Sequence, residues 1–288
     1  MGHHTEPVRA AGGAGITLPG VAYPNFPDKH GHDAIAEPAA FHRYWVDHGV
    51  LPEEYQAPDG VILLYQGFLF DAVLAGKLGP VSPFAAGARR SAFMRLHTFD
   101  DTGGSVGVIG GFGIGAPAAT AIMEMMGALG VRRFVGVGTA GALQPHLETG
   151  AVVVCDRAVR DEGVSHHYLP PERWAHPTHD LTERLGAELD MAGCEPTTGA
   201  AWTIDAPFRE TVAEARHYAD EGVAVVEMEA SALFTVARCR GFEVASAFTV
   251  SDSLAGGEWS PQFNDPRIAA SLVRMVHAAV ATLQGAQG

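Results

Sequence analysis

From Val61 onward, short apolar runs alternate with stretches whose apolar residues recur at helical spacing, and this alternation leaves few architectures open. Residues 61–65, 92–99, 106–110, 134–137, 151–159, 197–203, 223–226 and 244–250 read as strands. Helices are expected over 115–129, 179–192, 207–221, 229–240 and 266–283. In the last of these, Ile268, Leu272, Met275, Val276, Ala279, Val280 and Leu283 fall on one face. Short buried strands alternating with helices imply an α/β fold: a single-domain, layered α/β/α arrangement around a mixed, mostly parallel central sheet.

The first 60 residues read differently. Residues 21–33 are rich in Pro, His, Gly and Asn, residues 57–60 (Ala-Pro-Asp-Gly) signal a turn, and 38–50 read as a short helix. The expected organisation is therefore an extension over 1–58 and a main domain over 59–288. Tyr23, Phe26, Tyr44 and Trp45 give the extension enough apolar mass to dock on the core.

Charge narrows the function classes. With 19 Lys+Arg against 33 Asp+Glu, the net charge is −14, which disfavours nucleic acid or an anionic membrane as partner while leaving room for a local anion pocket. The first 20 residues lack a continuous apolar stretch, and no apolar run is long enough to cross a bilayer. Cys155, Cys194 and Cys239 lie far apart without a C-x-x-C pair, as expected of reduced packing residues in a cytoplasmic protein. No cluster has metal-ligand spacing, His166-His167 included.

The 35 glycines are concentrated where a sheet of this class builds its sites. One cluster, Gly110-Gly111-Phe112-Gly113-Ile114-Gly115, follows an expected strand and precedes Pro117, so it offers backbone N–H groups and a helix start to an anion. It is not a dinucleotide fingerprint: the spacing is G-x-G-x-G, and no acid closes the next strand. A second cluster, Gly136-Val137-Gly138-Thr139-Ala140-Gly141, ends a buried strand with a single hydroxyl, which either caps a turn or helps cradle an oxygen. Further on, Glu227-Met228-Glu229 stands at a strand-to-helix junction, where an acid also complements the helix dipole. Asp252 closes the run 244–250, as an N-cap or as a shielded carboxyl with raised proton affinity.

In their order, these segments resemble the nucleoside phosphorylase/nucleosidase superfamily, which holds the purine and uridine phosphorylases and methylthioadenosine nucleosidase. The resemblance runs from about Val61 to Leu283. Asp205-Ala206-Pro207-Phe208 looks like that family's base-site segment, and Arg160-Asp161-Glu162-Gly163 is similar to its uridine branch. The resemblance implies cleavage of an N-glycosidic bond through a cationic sugar transition state. It places Glu229 on the ribose hydroxyls, Met228 against the sugar and Glu227 in support or on the nucleoside, while Phe208 either stacks on the base or packs as helix-start core. Asp252 would protonate or hydrogen-bond the departing base, and an Asp there resembles the purine branch. Gly141 and Thr139 would line the substrate site, and Thr139 with Gly113 would face the phosphate or water.

Two departures concern the acceptor. The family's phosphate loop, Gly-Asp-Pro-x-Arg near the first strand, is absent from 61–69, and Gly136 stands where a second arginine is expected. Arg89 and Arg90, near the place where uridine phosphorylases borrow an arginine from a neighbouring subunit, and His30 in the extension are the candidate replacements. Phosphorolysis, hydrolysis by water, and non-catalytic nucleoside binding all stay open. The expected partners are a small nucleoside and further copies of this chain in a homo-oligomer. No cofactor is expected beyond phosphate as a possible co-substrate.

Overall fold

A computed structural model describes residues 26, 28–84 and 95–285. In chain order the elements are α1 (Pro38–Asp47), β1 (Gly60–Leu64), α2 (Gly67–Leu74), β2 (Val81–Pro83), β3 (Leu96–Phe99), β4 (Val106–Gly110), α3 (Ala116–Leu129), β5 (Arg133–Ala142), β6 (Val152–Asp161) and β7 (Trp174–Ala175). There follow α4 (His179–Met191), β8 (Thr197–Ile204), α5 (Val212–Asp220), β9 (Val223–Glu227), α6 (Ala230–Arg240), β10 (Glu243–Ser253), β11 (Ser260–Pro261) and α7 (Pro266–Gln284).

The architecture is the expected layered α/β fold. Strand β1 lies between β4 and β5, parallel to both, and β3 and β2 extend that edge in antiparallel fashion. On one face α3 and α6 pack with Trp45 of α1, and on the other α2, α4 and α7 cover the sheet. Strand β1 is buried at every position, which is why its sequence is apolar throughout.

The sequence does not announce that half of this sheet closes on itself. Strand β5 pairs in parallel with β10 along its length and, at its far end, antiparallel with β9 through Gly141↔Val226 and Ala142↔Val225. Strand β10 pairs with β6, β6 with β8, and β8 with β9, so these five strands form a ring. Closure needs β5 and β10 to be long. Residues 138–142 continue β5 beyond the expected end at 137, and β10 runs on to Ser253. A bulge at Ser251, where the register jumps from Val250↔Ala140 to Asp252↔Gly141, bends β10 into the ring. A separate cluster including Trp202, Val223 and Val226 fills that end.

Other differences are local. The expected helix over 207–221 breaks into a 3-10 turn, Pro207–Arg209, and α5, because Thr211 and Glu214 form a capping box that starts the helix afresh. Only Leu96–Phe99 of the expected strand 92–99 is described, as β3. Before β1, Trp45 is buried and the Tyr55 hydroxyl donates to the Leu129 carbonyl at 3.1 Å, both on α3 and its neighbours, whereas Phe26 and Tyr44 are exposed. Tyr23 lies outside the described residues. Of the cysteines expected to pack, Cys155 is buried but Cys239 is exposed, since α6 turns its C-terminal residues outward. Among the described residues, no helix is long and apolar enough to cross a membrane.

Close approach decides the glycine at 138. A Cβ there would stand 2.8 Å from Cδ2 of Tyr65, a ring itself enclosed by the core. Gly138→Ala should cost about 1–3 kcal/mol in a urea unfolding titration. Gly67→Ala, with nothing within 4 Å of the added carbon, should change stability by no more than about 1 kcal/mol.

Candidate active site

The glycine loop after β4 is built by left-handed backbone: Gly111, Gly113 and Gly115 have φ of 71°, 97° and 94°. These values favour glycine and turn the chain sharply into α3. The loop meets the acidic junction directly. The Gly115 N–H donates to Oε1 of Glu229 at 2.5 Å, and the Met228 methyl lies 3.9 Å from where a Gly115 Cβ would stand. At Gly113 nothing lies within 4 Å of that position, so the loop is open there.

Glu229 is held by Glu227. Oε2 of Glu227 accepts the backbone N–H of Glu229 and of Ala230, each at 2.7 Å, and its Oε1 accepts the Thr203 hydroxyl. The Thr203 oxygen in turn accepts the Ser231 N–H at 3.0 Å. Glu227 thus caps the first turn of α6 and ties it to β8; of the two roles left open for it, this geometry is that of support. Burial, and for Glu227 the neighbouring carboxylate, hold both groups above the usual carboxylate range. Glu162 adds a third buried acid, accepting from Ser231 Oγ and the Ser165 N–H, both at 2.9 Å. The buried Arg160 points elsewhere, donating to Ser165 Oγ and to the carbonyls of Pro170 and Leu169.

The β10 bulge aims Asp252 at the same end of the ring. Its Oδ2 lies 3.2 Å from the Cβ position of Gly141, beside Val226 at 3.1 Å, one residue before Glu227. Oδ1 accepts the Ser251 hydroxyl at 2.7 Å and Oδ2 the Trp259 indole N–H at 2.9 Å. Two residues before Gly141, Thr139 accepts from Nε2 of Gln66 at 3.1 Å. Gln66 immediately precedes α2 in the loop after β1, the place of the family's phosphate loop.

Around the glycines from 136 to 141 the chain's own side chains approach closely. Tyr65 lies over Gly136 and Gly138, and Leu254 over Gly141, so these positions admit the chain's own side chains. The space above Gly136 holds the Tyr65 and Ser246 hydroxyls, 3.1 and 2.9 Å from the Cβ position, and both oxygens are buried without a partner.

The remaining candidates are dispersed. Phe208 sits in the 3-10 turn fully exposed, packed in no core. Asp205 accepts the Gly163 N–H at 2.7 Å, and a cleft of about 500 Å³ opens beside it, lined by Asp161, Arg209, Thr211 and Glu214 among others. Nε2 of His30 lies 3.0 Å from the His166 carbonyl. Arg89 and Arg90 lie outside the described residues. Reading by motif misses Gln66, Trp259 and Arg95. The Arg95 guanidinium stacks on Phe70, 4.9 Å from the ring centroid, and its Nη1 stands 2.4 Å from the Cβ position of Gly111. That arginine is a cation beside the glycine loop which no spacing rule connects to it. Among the described residues, no cluster of His, Cys, Asp and Glu could hold a metal ion.

A glycine loop, an acidic strand-to-helix junction and a strand-end Asp, joined in this order on this sheet, are matched by the family model of the phosphorylase superfamily over residues 77–281. The chain belongs to the phosphorylase superfamily. Within it, the chain is 36% identical over 146 residues to a guanosine phosphorylase of Halorubrum lacusprofundi, half of this chain and 60% of that protein. It is 33% identical over 143 residues to a uridine phosphorylase of Haemophilus influenzae, covering 45% of this chain and 57% of the other. A purine nucleoside phosphorylase of Bacillus cereus is 31% identical over 150 residues, 51% of this chain and 64% of its own. The chain thus spans less than two thirds of the length of each of these relatives. In fold it is similar to purine nucleoside phosphorylase from Toxoplasma gondii, solved with immucillin-H, with a TM-score of 0.66 at 21% identity over 80% of this chain and 92% of that one.

The buried acids of this superfamily member make its stability depend on pH. A carboxyl whose proton affinity is raised on folding binds its proton more tightly in the native state, so stability falls as pH climbs from the usual carboxylate range to the raised value. Glu229→Gln keeps an acceptor for the Gly115 N–H but carries no charge. The variant should therefore gain stability relative to the parent chain as pH rises from about 4.5 to about 7, as measured by parallel chemical unfolding. A constant difference would show that Glu229 titrates normally.

Proposed function

We propose that this protein cleaves the N-glycosidic bond of a purine-type nucleoside, with phosphate as the acceptor of the sugar. The observation that carries this reading is the convergence of Gly115, Met228 and Glu229 with Gly141 and Asp252 at one end of the strand ring. The relatives' names, guanosine, uridine and purine nucleoside phosphorylase, support it.

Glu229, anchored at one oxygen by Gly115, takes the ribose diol, and Met228 packs against the sugar. As the C1′–N bond stretches, the ring becomes cationic, and an anion fixed beforehand stabilises that charge without reorganising. Charge on Glu229 then costs less than in the empty site, because the developing cation offsets the desolvation that raises its proton affinity. Asp252 stands at the base, with exposed Phe208 free to turn onto its face. Thr139 and the loop at Gly113, open at its Cβ position, receive phosphate, with Arg95 a cation beside the glycine loop at Gly111. Arg89, Arg90 and His30 would add to this site from within the chain or across a homo-oligomer in the cytoplasm. No cofactor enters.

A second reading has its own observation. Tyr65 and Ser246 fill the space above Gly136 where an arginine would project, and the loop after β1 offers Thr139 only the neutral amide of Gln66. Charge-assisted bonds to phosphate contribute roughly 1.5–3 kcal/mol each, and losing two favours water as the nucleophile.

A panel of guanosine, inosine, adenosine and uridine, assayed with and without phosphate, separates the readings. Phosphorolysis predicts base release only with phosphate, together with a sugar 1-phosphate. Release that ignores phosphate establishes hydrolysis, and no release from any nucleoside sinks both. Glu229→Ala should lower kcat by roughly 10²–10³-fold.

A further inference from the structure

We propose that Trp259 is a positioning residue for Asp252, its indole N–H holding the carboxyl at the end of the strand ring where the base departs; this rests on the reading of the site as one that cleaves a nucleoside. The contact is direct: Nε1 of Trp259 donates to Oδ2 of Asp252 at 2.9 Å. Oδ1 is held separately, by the Ser251 hydroxyl at 2.7 Å. An indole N–H can only donate, so it ties down one oxygen and leaves the carboxyl little freedom to turn. The oxygen so held is the one 3.2 Å from the Cβ position of Gly141, with Cγ1 of Val226 3.1 Å from the same point. Asp252 therefore lies across the end of β5, one residue from Glu227.

The backbone carrying Trp259 is anchored on both sides. Before it, β10 bends at the Ser251 bulge, and the Leu254 N–H donates to the Ala142 carbonyl at 2.9 Å. The turn closes where the Gly257 N–H meets the Leu254 carbonyl at 2.9 Å, with Gly257 at a φ of 75°. A Cβ at Gly257 would lie 3.4 Å from Nη2 of Arg216 and 3.5 Å from Val212, so the loop is seated on α5. After it, β11 pairs with β10 through Ser253↔Ser260 and Asp252↔Pro261, and the Gln262 N–H donates to the Ser251 carbonyl at 3.0 Å.

The orientation of the ring is a second observation. Trp259 is 62% exposed, and with Phe263, 6.0 Å away between ring centroids, it lines an open cleft of about 620 Å³. An amphipathic ring on a surface loop is most stable with its carbon against the protein and its N–H toward water. Trp259 does the reverse. Its polar edge turns to the half-buried Asp252, and most of its carbon stays in solvent. Packing does not account for that arrangement; the bond to Asp252 does.

The test compares full-length chains carrying Trp259→Phe and Trp259→His on guanosine, or on whichever purine nucleoside the panel identifies. The first keeps an aromatic ring beside Phe263 and loses the donor. The second restores it, because the imidazole Nε2 stands at the same ring position as the indole Nε1. Trp259→Phe should lower kcat by roughly 10–10²-fold, the cost of a reacting group misplaced by about 1 Å. Its KM should change by less than about threefold. Trp259→His should run faster than Trp259→Phe. In a chain already carrying Asp252→Ala, Trp259→Phe should cost less than about twofold, because the group it positions is gone. Where the Asp252→Ala chain releases no base, the comparison of the two Trp259 variants decides. Matched melting curves check that every chain folds.

The inference is overturned, and the nucleoside reading kept, if Trp259→Phe turns over at the parent rate, or if its loss is as large without Asp252 as with it. Folded Trp259→Phe and Trp259→His chains that are equally slow have the same meaning. No base release from any nucleoside by the parent chain overturns the two together.

Discussion

The site depends on one buried carboxylate. Glu227 gathers the N–H groups of Glu229 and Ala230 and the hydroxyl of Thr203, and so fixes where β9 stops and α6 starts. A helix start leaves N–H groups that must be satisfied, and here they are satisfied by an acid on the preceding strand rather than by solvent. Glu229 is thereby locked with its carboxyl toward Gly115. Because Thr203 belongs to β8, the same bonds join the ring of strands to the helix layer. The functional acid and the closure of the sheet share one set of hydrogen bonds.

That closure also bears on the distribution of small residues. A five-stranded ring is narrow, and its strands can hold Tyr65 and Leu254 only where the facing backbone has no side chain. Gly136, Gly138 and Gly141 provide that room. The glycine loop at 111–115 is the contrasting case. There the left-handed backbone is required, and Gly113 faces open space. Two glycine clusters that look alike as sequence thus do different physical work.

The fold class and the centre of the site were legible because both rest on local signals. Apolar runs report strands buried on both faces. Gly115, Glu229 and Asp252 each stand at a strand end, where sheets of this class place ligands. What escaped was set by long-range geometry. Residues 138–142 look like a turn, and only pairing with β9 and β10 keeps them extended. Trp259 reaches Asp252 because a hairpin folds back seven residues later, and the loop of that hairpin rests on α5 at Arg216 and Val212. Arg95 touches the glycine loop across two neighbouring strands. None of these contacts has a spacing to betray it. Phe208 is legible as a candidate, but its exposure is not: a capping box at Thr211 restarts the helix and strands it in the turn.

The charge balance of the site follows from the same packing. Glu162, Glu227 and Glu229 are buried near one another, and Asp205, Glu210 and Asp252 stand toward the base segment. The one buried arginine nearby, Arg160, spends its donors on a hydroxyl and backbone carbonyls. Protons held on raised carboxyls keep the resting charge of these buried acids tolerable. The Arg95 guanidinium lies away from them, on the glycine-loop side. The loss of an arginine at 136 is then more than an omission. A guanidinium there would need the volume that the Tyr65 ring takes, and Tyr65 in turn is held between β1 and β5 by the core. Introducing that cation by a single substitution would displace a buried aromatic ring, so the absence of an arginine at 136 is tied to the packing of the core.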